Sequence, residues 1–131
     1  MIELIPVDRP TDPERVRHHL SASLARSGCE DWSVDQMLYQ AWAGRWKLFE
    51  ARDGDKVVGA GVVGIQDFGK RRILEVIAFG ADAHTKPWLD TLNSLKAFAK
   101  SLDCHAIRCE GRPGWKRVLK AKQINLFEIE V

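Results

Sequence analysis

Apolar residues in the first third of the chain recur at helical spacing. Val16, Leu20 and Leu24 follow one another every four residues, which places them on one side of an α-helix. Just before this stripe, Thr11 and Glu14 stand three residues apart, the spacing of a capping box at a helix start. The pattern therefore predicts a first amphipathic helix, preceded by a short β-type run at residues 2–7.

A second and wider helical stripe follows. Its apolar members fall at i, i+3, i+4, i+7 and i+8, and they are Val34, Met37, Leu38, Ala41 and Trp42. Ser33 and Gln36 repeat the capping-box spacing before this stripe, and Gly44 stands where such a helix ends. We expect Trp42 to pack in the core, because a large aromatic side chain on an apolar helix face is normally buried.

From Arg45 the period changes to two, which is the period of β-strands. The runs "RWKLFEAR", "VVGAGVVGIQ" and "RILEVIAFG" are separated by the turn-forming stretches "DGDK" and "DFGKR". Three consecutive strands joined by tight turns predict an antiparallel meander. Gly59, Gly61 and Gly64 within the middle strand indicate a β-bulge or the close approach of another backbone.

The last third of the chain alternates helices with strands. After Gly80, a polar turn leads into an amphipathic helix with Thr85 as its N-cap. "CHAIRCE" then predicts a fifth strand, "GRPGWKRVLKAK" a short helix and "INLFEIEV" a sixth strand. The order β-α-α-β-β-β-α-β-α-β predicts a single α/β (α+β) domain over residues 1–131, with about four helices on a mixed, mostly antiparallel sheet of about six strands.

Composition argues against several classes of protein. The 131 residues are 45% hydrophobic, which suits one core, and no apolar run reaches the roughly 20 residues of a membrane span. A formal net charge of +2 is too small to indicate nucleic-acid binding by itself. The three cysteines form no CxxC pair, so we expect reduced thiols, no metal site and a cytoplasmic location.

The element order resembles the GNAT superfamily of N-acetyltransferases along nearly the whole chain. Three features carry the resemblance: the "DGDKVVGAGVV" hairpin, the strand, turn and helix from Ile73 to Lys100, and the short helix before the last strand. The resemblance implies a fourth strand that leads into an acyl-CoA pyrophosphate turn, and a fifth strand that splays from the fourth. It also implies acetyl-CoA as the cofactor of an active member.

The turn before the main helix departs from the family pattern. Family members carry Gln/Arg-x-x-Gly-x-Gly/Ala there, and the small residues let the backbone approach phosphates at a helix N-terminus. This chain has "ADAHTKPW", in which Asp82 adds a negative charge near the phosphate position and Pro87 removes one N–H donor. If the cofactor binds, the resemblance assigns its contacts to Gly80, Ala81, His84, Thr85 and Lys86.

The resemblance implies few catalytic groups. Many family members place a tyrosine after the fifth strand as general acid, but the only tyrosine here, Tyr39, falls in the second predicted helix. Glu75 on the fourth strand is the candidate general base, since a carboxylate there can accept a proton from an attacking amine. The alternative is that Glu75 faces solvent or pairs with Arg71 or Arg108.

A basic stretch runs from Cys104 to Lys122 with a single acid, Glu110. Such a stretch can bind a phosphate or an acidic partner, or it can form a solvated helix face. Arg112 in the "GRPG" turn is the candidate for binding a specific anion, because its planar guanidinium presents several donors in a fixed arrangement.

The stretches "WKLFEARDGDKVVGAGVV", "KPWLDTLNSLKAFAKSLDC" and "IRCEGRPGWKRVLKA" are also similar to small phage-encoded GNAT-like proteins. Two interpretations follow. The first is a protein with a degenerate acyl-CoA turn and no cofactor, which acts through protein contacts as a virion or accessory component, in the host cytoplasm or in the virion. The second is a divergent acetyl-CoA-dependent N-acetyltransferase acting on a small amine or a lysine. A nucleic-acid partner is less favoured, and pairing between copies of the chain stays open.

Overall fold

The fold is described by a computed structural model that covers residues 2–27, 31–82, 88–110, 120–124 and 126–131. Within these residues the elements are β1 (Ile2–Pro6), α1 (Pro13–Ser27), α2 (Val34–Trp42), β2 (Trp46–Asp53), β3 (Lys56–Asp67), β4 (Arg72–Ala81), α3 (Trp88–Ser101) and β5 (Ala106–Cys109). The α+β class predicted from the sequence is confirmed. Five strands and three helices are formed in the described part of the chain, against about six and four predicted.

One mixed sheet carries the strands in the order β1-β2-β3-β4-β5. Each pair from β1 to β4 is antiparallel, and β5 joins parallel to β4. The α3 segment connects β4 to β5, because parallel neighbours need a long crossover rather than a tight turn. The predicted meander of β2, β3 and β4 and the mostly antiparallel character of the sheet are therefore confirmed.

The helices cover both faces of the sheet. Leu48 of β2 packs with Val16 and Leu20 of α1, whereas the next residue, Phe49, packs with Ala99 of α3. Adjacent strand residues point to opposite faces, so α1 and α2 lie on one face and α3 lies on the other. Val16 and Leu20 are almost completely buried, as the helical spacing predicted.

The predicted capping box at the start of α2 is confirmed. The Gln36 backbone N–H donates to Oγ of Ser33 at 3.1 Å, and the Ser33 backbone N–H donates to Oε1 of Gln36 at 2.9 Å. These reciprocal bonds satisfy backbone donors that a helix start otherwise leaves free. They set the first turn of α2, from which Met37 and Leu38 enter the core.

The predicted capping box at the start of α1 is wrong. Asp12 caps this helix instead, because its Oδ1 accepts the Arg15 backbone N–H at 3.2 Å. Thr11 donates its N–H and its hydroxyl to the carboxylate of Glu50 on β2, each at 3.0 Å. Glu50 is fully buried and also accepts from Arg52. A buried carboxylate is costly unless it accepts hydrogen bonds. Thr11 therefore donates to Glu50 instead of capping the helix.

The described C-terminal residues differ from the predicted sixth strand. Residues 120–124 and 126–131 form no helix or strand, and Leu126, Phe127 and Ile129 are each 85% exposed. The apolar residues fall at even positions, Ile124 and Leu126, and then at odd positions from Phe127 onwards. In a strand, this change by one residue would move the apolar side chains to the opposite face of the sheet. Such a pattern cannot keep one apolar face against a sheet. The predicted fourth helix falls largely in 111–119, outside the described residues.

Candidate active site

The sheet opens between β4 and β5. The two strands pair from Ile73 and Ala106 to Val76 and Cys109, where β5 ends. β4 continues from there to Ala81, and in the described part of the chain these last residues pair with a strand on the β3 side alone. A strand edge that no neighbouring strand covers can leave backbone groups that hydrogen-bond to an extended ligand, although the Phe79 N–H of this edge donates to Ser23. The opening is therefore the candidate binding cleft.

A β-bulge lies where the opening begins. Val63 of β3 pairs with Val76 and Val62 pairs with Ala78, which leaves Ile77 as an extra residue on β4. Both Ile77 and Ala78 pack in the core beneath α1. Bulges bend a strand and change the direction of its side chains, and they are frequent beside active sites. The bulge expected in the middle strand near Gly59 is confirmed at another place, because Ala51 pairs with Gly59 and Arg52 pairs with Val57, which leaves Val58 as an extra residue on β3. The bulge at Ile77 of β4 was not predicted from the sequence.

Two of the predicted cofactor residues, Gly80 and Ala81, end β4 at the far side of the opening. Gly80 is buried against α1, and a Cβ atom there would lie 2.2 Å from the backbone carbonyl oxygen of His19. The absence of a side chain therefore lets α1 pack directly on the end of β4. The other candidates predicted from sequence lie outside the described residues, and they are His84, Thr85, Lys86 and Arg112.

One polar stripe of α1 faces the end of β4. Its members are spaced by four residues: Arg15, His19 and Ser23. Oγ of Ser23 accepts the Phe79 backbone N–H at 3.1 Å. The stripe runs beside the apolar residues of α1, and this i, i+4, i+8 pattern of polar side chains was the available sequence signal for it.

Asp82, which directly follows β4, has its charge compensated by Arg15. The Oδ2 atom of Asp82 lies 2.7 Å from Nη2 of Arg15, and Nε of Arg15 donates to the Val57 carbonyl oxygen at 2.9 Å. The Asp82 backbone N–H donates to the Val58 carbonyl oxygen at 2.8 Å. Asp82 was expected to oppose phosphate binding. The ion pair reduces that effect, and it joins residues 67 positions apart, which local patterns do not reveal.

His19 lies behind this ion pair and is 2% exposed. Its Nε2 atom is 3.6 Å from Oδ1 of Asp82, which is too long for a hydrogen bond, and it has no partner among the described residues. Burial lowers the pKa of His19 from its ordinary value, and the negative charge of Asp82 offsets part of this effect. The neutral imidazole is therefore favoured.

Glu75, the candidate general base, lies on β4 directly before the opening. Its side chain is partly buried, and its Oε2 atom accepts a hydrogen bond from Nε2 of Gln66. The strand register places Glu75 between Gly64 of β3 and Arg108 of β5. No ion pair with Arg71 or Arg108 is formed among the described residues, so this part of the alternative drawn from sequence does not apply.

An open groove of about 790 Å³ lies on the α2 side of the sheet. The loop that follows β1, the start of α1, the end of α2 and the start of β2 line it, and Trp42 and Trp46 are among the lining residues. Trp42 is 64% exposed, so its predicted burial in the core is wrong. Met37 and Leu38 anchor α2, whereas Trp42 is its last residue and borders the groove.

No three His, Cys, Asp or Glu side chains of the described residues group closely enough to hold a metal ion. No helix in this part of the chain has the length and apolar character that crossing a membrane requires.

No protein-family model matches the chain, and no curated protein matches it by sequence. Solved structures do match it in fold. A possible acetyltransferase from Clostridium difficile has a TM-score of 0.66 at 16% identity, covering 100% of this chain and 98% of its own. A predicted acetyltransferase with acetyl-CoA from Clostridium acetobutylicum has a TM-score of 0.65 at 14% identity, covering 99% and 96%.

A ribosomal-protein-alanine N-acetyltransferase from Brucella melitensis has a TM-score of 0.70 at 9% identity, covering 100% of this chain and 99% of its own. These matches do not bear on a phage origin, which stays a prediction. Identities this low carry no substrate or partner across to this chain. They establish its architecture: the chain has the fold of the GNAT acetyltransferases.

Proposed function

We propose that this chain is an N-acetyltransferase that uses acetyl-CoA as its acyl donor. The observation that carries the proposal is the opening between β4 and β5, where the pairing of the two strands ends one residue after Glu75. The opening occurs in a chain that has the fold of acetyltransferases. This fold supports a catalytic role more than it supports the alternative, a non-catalytic protein that binds other virion components. That alternative stays a prediction from the sequence.

The residues beside the opening fit an extended anionic donor. Acetyl-CoA, when bound, supplies a thioester whose C–S bond is exchanged for an N–C bond to the amine, with the sulfur protonated. Gly80 and Ala81 would hold it through their backbone, together with the predicted turn residues that follow. Asp82 would by itself repel phosphate groups, but Arg15 compensates its charge at 2.7 Å.

Glu75 is suited to accept a proton from the acceptor amine. An ammonium group must lose a proton before its nitrogen can attack a thioester, and a carboxylate within hydrogen-bond reach can take that proton. Gln66 holds Oε2 of Glu75, and no described residue donates a hydrogen bond to Oε1. Oε1 is therefore free to receive the proton and pass it to solvent. The single tyrosine, Tyr39, is 60% exposed on α2, so we assign protonation of the sulfur to solvent.

Calorimetric titration of the purified chain with acetyl-CoA tests the donor part of the proposal. Saturable binding at micromolar affinity, about −8 kcal/mol, is expected. A thermal-shift series with the same ligand should show stabilisation that grows with ligand concentration. Absence of both heat and stabilisation at millimolar acetyl-CoA would contradict the proposal.

Glu75→Gln tests the catalytic part. We expect kcat for acetyl transfer to fall roughly 10²- to 10⁴-fold, the usual contribution of a general base, while acetyl-CoA affinity and melting temperature stay close to those of the wild type. Glu3→Gln is the matched control, because Glu3 is an exposed carboxylate on the edge strand β1. Full activity in Glu75→Gln would show that Glu75 is not the base.

A further inference from the structure

Glu75 and Arg108 are direct neighbours on adjacent strands. The parallel register pairs Leu74 with Ile107 and Glu75 with Arg108. Leu74 and Ile107 pack in the core beneath α3. Strand side chains alternate between faces, so Glu75 and Arg108 project together from the opposite face, next to the point where the sheet opens.

These two opposite charges are not joined to each other. Gln66 bonds one oxygen of Glu75, and the Arg108 guanidinium lies over the Phe68 ring, 5.5 Å from its centroid. Arg108 makes no hydrogen bond or ion pair with the described residues. A guanidinium carries five N–H donors. The free carboxylate oxygen of Glu75 and the free N–H donors of Arg108 therefore lie on neighbouring residues, and both side chains are partly buried.

An aromatic wall stands on the other side of Glu75. Trp46 of β2 pairs with Gly64, which in turn pairs with Glu75, so the three lie in one row across the sheet. A Cβ atom on Gly64 would meet the Trp46 ring at 3.0 Å, which places the indole over the Gly64 backbone. Trp32 packs edge-on against Trp46, with ring centroids 4.7 Å apart. Trp46 also lines the open groove.

We propose that the acceptor is a free α-amino acid with an apolar or aromatic side chain. Its ammonium group would donate to Oε1 of Glu75, its carboxylate would accept from the planar guanidinium of Arg108, and its side chain would pack against Trp46. Both charged groups of an α-amino acid are attached to one carbon, which suits side chains on strands about 4.8 Å apart. This inference rests on the proposed acetyltransferase function, and it narrows the acceptor from small amines and lysine side chains in general.

The test compares L-phenylalanine with L-phenylalaninamide as acceptors in the presence of acetyl-CoA. The amide keeps the amine and the ring but lacks the carboxylate. We expect the wild type to use phenylalanine with a kcat/KM roughly 10- to 100-fold higher, the range of a hydrogen-bonded charge. Arg108→Gln should raise KM for phenylalanine by a similar factor, with little change in kcat and no change for the amide.

Arg71→Gln is the matched control, because it removes the same charge from an exposed position in the neighbouring turn. Equal use of the amide and the amino acid by the wild type would overturn the inference. So would a KM for phenylalanine that responds equally to Arg108→Gln and Arg71→Gln.

Binding measured without acetyl transfer separates this inference from the proposed function. Saturation-transfer NMR of the full chain with L-phenylalanine, in the wild type and in Arg108→Gln, reports the acceptor site alone. Binding that depends on Arg108 but is never followed by acetylation supports the amino-acid site and counts against the acetyltransferase. Acetylation of phenylalaninamide without any detectable phenylalanine binding supports the enzyme and overturns the amino-acid site.

Discussion

Gly80→Ala perturbs the contact that joins α1 to the end of β4. A Cβ atom at this position would lie 2.2 Å from the carbonyl oxygen of His19, 3.0 Å from its carbonyl carbon and 3.3 Å from its Cα. All three are backbone atoms of a helix, so no side-chain rotation can relieve the overlap. Without this contact, the same change in a strand would raise stability by up to about 1 kcal/mol, because glycine loses more entropy on folding.

The expected cost follows from the movement that the extra atom requires. An ordinary contact begins at 3.4 Å, so α1 or β4 must shift by about 1.2 Å. Such a shift loosens the packing of Val16 and Leu20, whose side chains are only 1% and 0% exposed. Overpacking of this kind costs typically 1–3 kcal/mol, and we place this case near about 3 because only backbone can yield. At about 2.1 cal/mol/K of unfolding entropy per residue over 131 residues, the melting temperature should fall by about 11 °C.

Urea unfolding and a thermal melt of Gly80→Ala measure this change. Gly64→Ala is the matched control, because its Cβ would meet only the ring of Trp46, a side chain that can turn aside, so we expect a loss of about 1 kcal/mol or less. A Gly80→Ala protein that melts at or above the wild-type temperature would refute the reasoning, since α1 could then not lie against Gly80 as described.

Two further predictions concern the side chains that α1 turns towards β4. Arg15→Gln leaves the charge of Asp82 uncompensated, so acetyl-CoA affinity in a calorimetric titration should fall roughly fivefold, which is about 1 kcal/mol for a partly exposed ion pair. Adding Asp82→Asn to this variant should restore the affinity. A double variant that binds acetyl-CoA as weakly as Arg15→Gln would contradict this prediction. Burial lowers the pKa of His19 from its ordinary 6.5, so below about pH 6.5 the unfolded chain binds a proton at His19 that the folded chain does not bind. The free energy of unfolding of the wild type should therefore fall as the pH drops below about 6.5, by at most about 1.4 kcal/mol per pH unit. Urea unfolding from neutral to acidic pH should show a shallower loss in His19→Gln, and parallel curves would mean that His19 is not buried in its neutral form.

Local sequence patterns predicted the elements that depend on neighbouring residues. The capping box of Ser33 and Gln36 acts over three residues, and the buried stripe of Val16 and Leu20 acts over four, so both could be predicted and both are confirmed. The period-two runs after Arg45 likewise predicted the three-stranded meander. The element order, together with the "DGDKVVGAGVV" hairpin, then resembled that of the GNAT superfamily, and the fold which this resemblance implied is confirmed.

The same local reasoning failed where a distant residue competes for a side chain. Thr11 has the spacing of a helix cap, but it bonds the buried carboxylate of Glu50, 39 positions away. Trp42 lies on an apolar helix face, but this face extends past the core and leaves 64% of the side chain exposed. In both cases the outcome depends on which elements pack against the residue, and the spacing within one element carries no information about that.

The sequence by itself determined the order of the helices and strands from β1 to β5, and that order carries the resemblance to the acetyltransferase fold. Only the tertiary structure decided the electrostatics of the candidate site. From the sequence, Asp82 was expected to oppose phosphate binding, but Arg15, 67 positions away, compensates its charge. Glu75 and Arg108 are adjacent on neighbouring strands without bonding to each other. Secondary structure follows from interactions within a few residues, whereas burial and charge pairing depend on distances between residues that only the folded chain brings together.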